Sequence, residues 1–142
     1  LLGHVLKIAQ ARLCPPTIEQ IAAEAVVDLE RDYFDAVLSE YTLRRDVLYK
    51  RLSAIPGVVC PKPEGAFYTV AWLPVKNAED FAIFLLKDFS YRNETVMLAP
   101  AEGFYGTPGL GRNEVRIAYV LKTEDLERAM DIIGQALKEY QG

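Results

Sequence analysis

The feature that most constrains the fold of this chain is a long helical pattern. Its predicted length exceeds the width of a small domain. Apolar residues recur at helical spacing, on nearly one face, from Ile18 to Leu52, and the join between Asp28 and Asp32 is a candidate kink. At 1.5 Å per residue, an unbroken helix of this extent would be roughly 50 Å long, which exceeds the width of a domain of 142 residues. The sequence therefore predicts a long lead-in helix that reaches a neighbouring domain.

The start of this helix is marked by helix-ending and helix-starting residues in succession. Pro15-Pro16 ends an earlier segment, and Thr17 with Gln20 forms a capping-box pattern, in which each side chain can satisfy an orphan backbone donor. Upstream, apolar residues at helical spacing predict another helix, with a stripe that has no evident partner in the chain. Its members are Leu2, Val5, Ile8, Ala9 and Leu13. The chain opens without an initiator Met or a signal peptide, so a piece of a longer protein is expected.

After the turn at Ile55-Pro56-Gly57, short apolar runs and helical patterns alternate. The runs predict strands over residues 58–60, 66–72, 96–99 and 115–120. Asn77 and Thr123 are the expected N-caps of two further helices. Their predicted inner faces are Ala78, Phe81, Ala82, Leu85, Leu86 and Phe89 in the first, and Leu126, Ala129, Met130, Ile133, Leu137 and Tyr140 in the second. The predicted class is α/β (α+β), a two-layer sandwich in which helices cover a small, mostly antiparallel sheet.

Composition excludes several classes of function. Sixteen Lys and Arg are interleaved with 20 Asp and Glu for a net charge of −4, which argues against a duplex nucleic acid as partner. No apolar run approaches the roughly 18 residues of a membrane span. Cys14 and Cys60 lie outside any Cys-x-x-Cys pair, and His4 is the only histidine, so neither a disulfide framework nor a metal site is indicated. Two buried thiols and a cytoplasmic protein are expected.

Arg116 is the strongest candidate for a binding residue. Strand alternation sends Val115, Ile117 and Tyr119 to one face and places Arg116 on the other, among apolar neighbours. The alternative is a structural arginine at a sheet edge or paired with a nearby Glu. A long loop from Pro100 to Asn113, rich in Gly and Pro, leads directly to it. A flexible loop next to a fixed and permanently charged guanidinium suits bidentate binding of a carboxylate or phosphate.

Other strings favour structural roles. Gly109-Leu110-Gly111 resembles the end of a phosphate loop, but no Lys-Ser/Thr follows it and no helix begins after it. Cys60 is expected to pack in the core. Phe67, Tyr68 and Trp72 are expected to pack in the core or at an edge, with Phe67 on the face opposite to Tyr68.

Four ordered strings together resemble the pyridoxal-phosphate aminotransferases of fold type I, class I. They are Ala9-Gln10-Ala11-Arg12-Leu13 followed by Pro15-Pro16-Thr17, then Tyr41 with Arg44-Arg45-Asp46, then Pro63-Glu64-Gly65-Ala66-Phe67-Tyr68, and finally Val115-Arg116-Ile117-Ala118-Tyr119. The resemblance covers essentially the whole chain and is specifically to an aspartate-aminotransferase-like enzyme. It implies the small carboxy-terminal domain of the aspartate aminotransferase fold, with residues 1–16 ending the large-domain region and residues 17–142 forming the small domain.

The resemblance also implies a reaction and roles for two residues. The full-length protein would be a transaminase that moves an amino group from an amino acid, such as aspartate or a related one, to a 2-oxo acid, with pyridoxal phosphate as cofactor. Arg116 would bind the substrate carboxylate. Phe67 would line the substrate pocket, with core packing as the alternative. The family is usually a homodimer, so the full-length protein is expected to be one.

The sequence departs from the family pattern in what it lacks. No Ser has a Lys three residues later, so the family's Ser-x-x-Lys frame for the cofactor lysine is absent. No catalytic or cofactor-binding residue is therefore assigned. This chain alone is expected to be inactive and to bind no cofactor. Its expected partner is a missing amino-terminal large domain. One alternative is an aminotransferase-like sensing domain of a transcription regulator, which a DNA-binding segment upstream would identify. Another is a free-standing interaction domain.

Overall fold

The structure, a computed structural model, describes residues 2–11 and 16–140 and divides into two compact units, Leu1–Ala36 and Val37–Gly142. Five α-helices and three short strands form the described chain. In order they are α1 (Leu2–Gln10), α2 (Thr17–Glu24), a 3-10 turn (Ala25–Asp28), α3 (Arg31–Ser53), β1 (Tyr68–Trp72), α4 (Ala78–Lys87), β2 (Ala99–Pro100), a second 3-10 turn (Glu102–Phe104), β3 (Glu114–Ala118) and α5 (Thr123–Glu139). Among these residues, no helix combines the length and the apolar character that crossing a bilayer requires.

The first unit exposes the apolar residues that periodicity placed on one face. Leu2, Val5 and Ile8 of the predicted stripe are all exposed, so these three residues have no cover within the described part of this unit. Leu13 and Cys14 lie outside the described residues.

The predicted long helix is divided where its pattern shifts. α2 ends at Glu24, the 3-10 turn runs to Asp28, and α3 begins at Arg31, so the break overlaps the predicted join but starts before it. The predicted capping box at Thr17 is wrong. Pro16 is the N-cap of α2 and Thr17 is already helical. Proline has no side-chain acceptor for an orphan N–H, and its fixed φ suits entry into a helix without one.

In the second unit, the sheet has the order β1-β3-β2 and is antiparallel throughout, which confirms the predicted fold class. β3 lies in the centre, and its Arg116 faces Val70 of β1 on one side and Ala99 of β2 on the other. The strands are shorter than predicted. Residues 58–60 contribute only a bridge between Val59 and Trp72, because the prolines that follow at positions 61 and 63 cannot donate to a ladder.

One face of this sheet is packed under helices. Ala71, Val115 and Ile117 are buried there. Helices α3, α4 and α5 add their own fully buried side chains to the same core, which include Leu48, Leu52, Phe81, Leu85 and Ile133. The side chains of Tyr68, Trp72 and Arg116 on the opposite face stay exposed. The sheet therefore has one covered face and one open face.

The helix caps and inner faces agree only in part with the predictions. Asn77 caps α4 as predicted, since its side-chain oxygen accepts from the backbone N–H of Glu79 at 2.9 Å. The N-cap of α5 is Lys122, and Thr123 is its first helical residue, so the predicted cap at Thr123 is wrong by one position. Leu86, predicted on the inner face of α4, is exposed.

Candidate functional site

The site is built around Arg116 at the centre of β3. Its neighbours Val115 and Ile117 are 0% and 7% exposed, whereas Arg116 itself is exposed. The predicted alternation along this strand is therefore confirmed, and it places the guanidinium on the open face of the sheet.

Two aromatic rings hold this guanidinium, and we call them the aromatic clamp. The Arg116 guanidinium carbon lies 4.9 Å from the centroid of Phe104 and 5.6 Å from that of Tyr68. These are cation–π distances, in which the ring attracts the cation without using any of its N–H donors. The clamp positions the guanidinium and leaves its fork of donors available.

Arg116 differs from the other arginines of the sheet-bearing unit that form ion pairs. Arg44 pairs with Glu40, Arg45 with Asp46, and Arg51 with Asp131, at 2.7 to 2.9 Å. Arg116 has no ion pair with any carboxylate of residues 2–11 or 16–140. An exposed, ring-held and unpaired guanidinium is suited to bind an anion from outside the chain.

The loop before β3 is tied to that strand and carries Phe104. The backbone N–H of Ala101 donates to the carbonyl of Glu114 at 2.9 Å, and that of Phe104 donates to Ala101 at 2.9 Å. The Tyr105 hydroxyl donates to the Glu114 carboxylate at 2.5 Å. These bonds fix Phe104 relative to β3. The sequence analysis did not identify Phe104, because it took the loop as flexible. No local pattern indicates which side chain of the loop contacts β3.

The second glycine of the Gly109-Leu110-Gly111 string has a structural role. Gly111 has φ +72°, and a Cβ there would lie 2.3 Å from the Tyr105 ring. Only glycine combines this backbone conformation with so close an approach. Gly111 thus makes room for the ring that anchors the loop.

Phe67, Tyr68 and Trp72 were predicted to pack in the core or at an edge, and Tyr68 and Trp72 lie on β1, an edge strand of the sheet. Phe67, Tyr68 and Trp72 are 53%, 42% and 39% exposed. Tyr68 and Trp72 share the open face with Arg116, and the ring of Phe67 meets that of Tyr68 edge to face at 5.7 Å. Strand alternation predicted Phe67 on the face opposite to Tyr68. It does not apply to Phe67, because β1 begins only at Tyr68 and Ala66, the residue before Phe67, has φ +59°.

Tyr119 holds the segment that leads into these aromatic residues. It is 1% exposed, and its hydroxyl donates to the carbonyl of Ala66 at 2.9 Å. Its backbone N–H donates to the carbonyl of Phe67 at 2.8 Å. Burial raises the pKa of this phenol above its ordinary value. The sequence placed Tyr119 on the buried face but gave no signal for the bond to Ala66.

Cys60 packs as predicted, and His4 is exposed. Cys60 is buried, with its Sγ 3.5 Å from Oγ1 of Thr69, and burial raises the pKa of the thiol. No group of three or more His, Cys, Asp or Glu side chains that could hold a metal ion occurs in the described ranges.

Comparison with known proteins identifies the family. Residues 2–133 match the family described as aminotransferase class I and II. The chain belongs to this family. It is 29% identical over 140 residues to an aspartate aminotransferase of Rhizobium meliloti, an alignment that covers 90% of this chain and 32% of the relative.

Solved aminotransferase structures share the fold. An alanine aminotransferase from Pyrococcus furiosus superposes with a TM-score of 0.74 at 34% identity, covering 94% of this chain and 33% of the other. An alpha-aminoadipate aminotransferase from Thermus thermophilus, complexed with N-(5'-phosphopyridoxyl)-L-leucine, superposes with a TM-score of 0.75 at 22% identity, covering 92% of this chain and 33% of the other. This chain spans about a third of the length of the relatives it matches.

The lysines within residues 2–11 and 16–140 do not fit the requirements of a Schiff-base lysine for pyridoxal phosphate. A Schiff-base lysine is activated by removal from water or by a neighbouring cation. All seven lysines of the chain are exposed, and none stands in a Ser-x-x-Lys frame. The open face presents the Arg116 guanidinium, a group whose chemistry suits an anionic ligand.

Proposed function

We propose that this chain is the small carboxy-terminal domain of a pyridoxal-phosphate-dependent aminotransferase and that Arg116 binds the carboxylate of its amino-acid substrate. The observation that carries the proposal is the unpaired Arg116 guanidinium, held by two rings on the open face of the sheet. Membership of the aminotransferase family gives that cation an anionic ligand of suitable chemistry, since amino acids and 2-oxo acids both carry a carboxylate.

Arg116 orients the substrate and takes no part in bond making. A guanidinium presents two parallel N–H donors to the two oxygens of a carboxylate, which fixes the direction of the substrate as well as its position. Phe67, exposed beside Tyr68, would line the approach to this point. A carboxylate bound on a ring-lined surface is partly removed from water, which strengthens the charge-assisted hydrogen bonds.

The remaining chemistry is assigned to a large domain outside this chain, joined near residue 16. That domain would supply the lysine and the phosphate-binding groups for pyridoxal phosphate, which serves as an electron sink when bound. The full-length protein would be a homodimer acting on an amino acid and a 2-oxo acid. The length comparison supports this assignment, because the relatives are about three times as long as the matched region.

Replacing Arg116 tests the proposal in the full-length protein. Arg116→Ala is expected to lower kcat/KM for amino-acid donors by about ten- to a hundredfold, the equivalent of one lost charge-assisted contact. Arg116→Lys keeps the charge without the fork and is expected to fall in between. Steady-state kinetics with L-aspartate, L-alanine and L-leucine, each with 2-oxoglutarate as acceptor, gives the measurement.

Arg112→Ala is the matched control, because Arg112 is an exposed arginine of the preceding loop. Its kcat/KM should stay within about twofold of the wild type, as for most surface substitutions. An Arg116→Ala variant with unchanged kcat/KM for every donor would refute the assignment of this residue.

A further inference from the structure

Phe104 occupies a position that packing of the core does not explain. Its side chain is 59% exposed, yet its ring is the closer of the two that hold Arg116. A large apolar ring left in water gains little from burial. Its nearest functional neighbour is the guanidinium, 4.9 Å from the ring centroid.

The backbone fixes where this ring lies. Phe104 ends the 3-10 turn Glu102–Phe104, which starts immediately after a backbone bond from Ala101 to Glu114 of β3. The next residue, Tyr105, is bound through its hydroxyl to Glu114 as well. Phe104 is therefore tied on both sides to the residue that lies two positions before Arg116 on the same strand.

A restrained arginine binds a carboxylate at lower entropic cost than a free one. An arginine on an open sheet face has several rotamers, and ordering such a side chain upon binding reduces affinity. Tyr68 and Phe104 contact Arg116 through their rings and limit this freedom before a ligand arrives. The ring contacts leave the hydrogen-bond donors of the guanidinium unused.

We propose that Phe104 is a positioning residue, whose ring preorganises the Arg116 guanidinium for the substrate carboxylate. This inference rests on the proposed function and adds to it a residue that touches the cation and not the substrate. Phe104 suits an experimental test better than Tyr68, because Tyr68 also pairs with Ala118 in the sheet and contacts the ring of Phe67.

The test compares Phe104→Leu, which keeps apolar bulk without a π face, with Phe104→Trp, which restores one. In the full-length enzyme, Phe104→Leu is expected to raise KM for the amino-acid donor about twofold to fivefold, the size of one exposed cation–π contact. The value of kcat should change less, and Phe104→Trp should return KM to within about 1.5-fold of the wild type.

Repeating Phe104→Leu in the Arg116→Ala background separates positioning from a general structural effect. There the substitution should change kcat/KM by less than about 1.5-fold, because the cation it acts on is gone. Leu110→Ala, in the same loop and also exposed, is the matched control and should be neutral in both backgrounds.

Three results would overturn the inference. An unchanged KM in Phe104→Leu, with Arg116→Ala impaired as expected, would refute the positioning role and leave the proposed function intact. An equal loss in both backgrounds would assign Phe104 a purely structural role. Full activity in Arg116→Ala would reject the proposed function and, with it, any positioning of that cation by Phe104.

Discussion

The two faces of the small sheet are made from the same strands and have opposite characters. On the covered face, Ala71, Val115 and Ile117 are buried under helices. On the open face, Tyr68, Trp72 and Arg116 remain in contact with water. Because side chains alternate along a strand, each step of one residue changes a side chain from buried in the core to exposed on the open face. Under the proposed function, adjacent residues of β3 therefore serve stability and ligand binding separately.

The open face is also ordered, although it is not buried. Phe67 contacts Tyr68, Tyr68 contacts Arg116, and Arg116 contacts Phe104, so ring and cation contacts run continuously along it. On the covered face, order comes from close packing in the core. On the open face, order comes from a few directional contacts and from backbone bonds at the ends of the loops.

The largest expected effect comes from testing the two faces at adjacent positions of β3. Ile117→Ala should lower the free energy of unfolding by about 2 to 5 kcal/mol, because it leaves a cavity in a packed core. Arg116→Ala should lower it by about 1 to 2 kcal/mol, since it removes two exposed ring contacts of about 0.5 to 1 kcal/mol each. Urea unfolding followed by circular dichroism measures both. Equal losses at the two positions would mean that the faces are not separated as described.

A smaller effect is expected at the loop that supplies Phe104 to the open face. Gly111→Ala should lower the free energy of unfolding by about 1 to 3 kcal/mol, because alanine is strained at positive φ. It should also displace the Tyr105 ring, which a Cβ would approach to 2.3 Å. Gly106→Ala is the control, since its added Cβ would meet nothing within 4 Å. The measurement is thermal unfolding of the two variants under the same conditions. Similar melting temperatures would contradict the anchoring role of Gly111.

The smallest effect concerns the covered face and is a dependence on pH. Burial raises the pKa of the Cys60 thiol in the folded protein, while the hydrogen bond with Thr69 opposes this. The unfolded chain therefore loses this proton first, and the contribution of Cys60 to stability is complete below about pH 8.5 and declines as the pH rises through the folded pKa. Free energies of unfolding of the wild type and Cys60→Ala should draw closer over this range. A gap that widens with pH would reverse the assigned direction.

The features that local spacing determines were predictable from the sequence. The exposure of Arg116 follows from the alternation in β3. The cap at Asn77 follows from the presence of an asparagine immediately before a helical pattern. The division between α2 and α3 falls at the shift in their apolar pattern. The family resemblance, carried by four short strings, was confirmed over nearly the whole chain.

The features that depend on contacts between distant segments were not predictable. Phe104 reaches Arg116 only because the loop folds back on β3. Phe67 is exposed because Tyr119, far along the chain, bonds to Ala66 and fixes the turn before β1. The ends of the strands likewise depend on which partner they find, and the prolines after Val59 limited that pairing to a bridge.

The shortness of β2 affects how this chain behaves among copies of itself. β2 consists of Ala99 and Pro100 only, at one edge of the sheet, and proline has no N–H to offer an incoming strand. A sheet with an aromatic open face and a long free edge invites edge-to-edge pairing between copies. The β2 edge is too short to act as such a template, and at the opposite edge a bridge from Val59 to Trp72 covers part of β1.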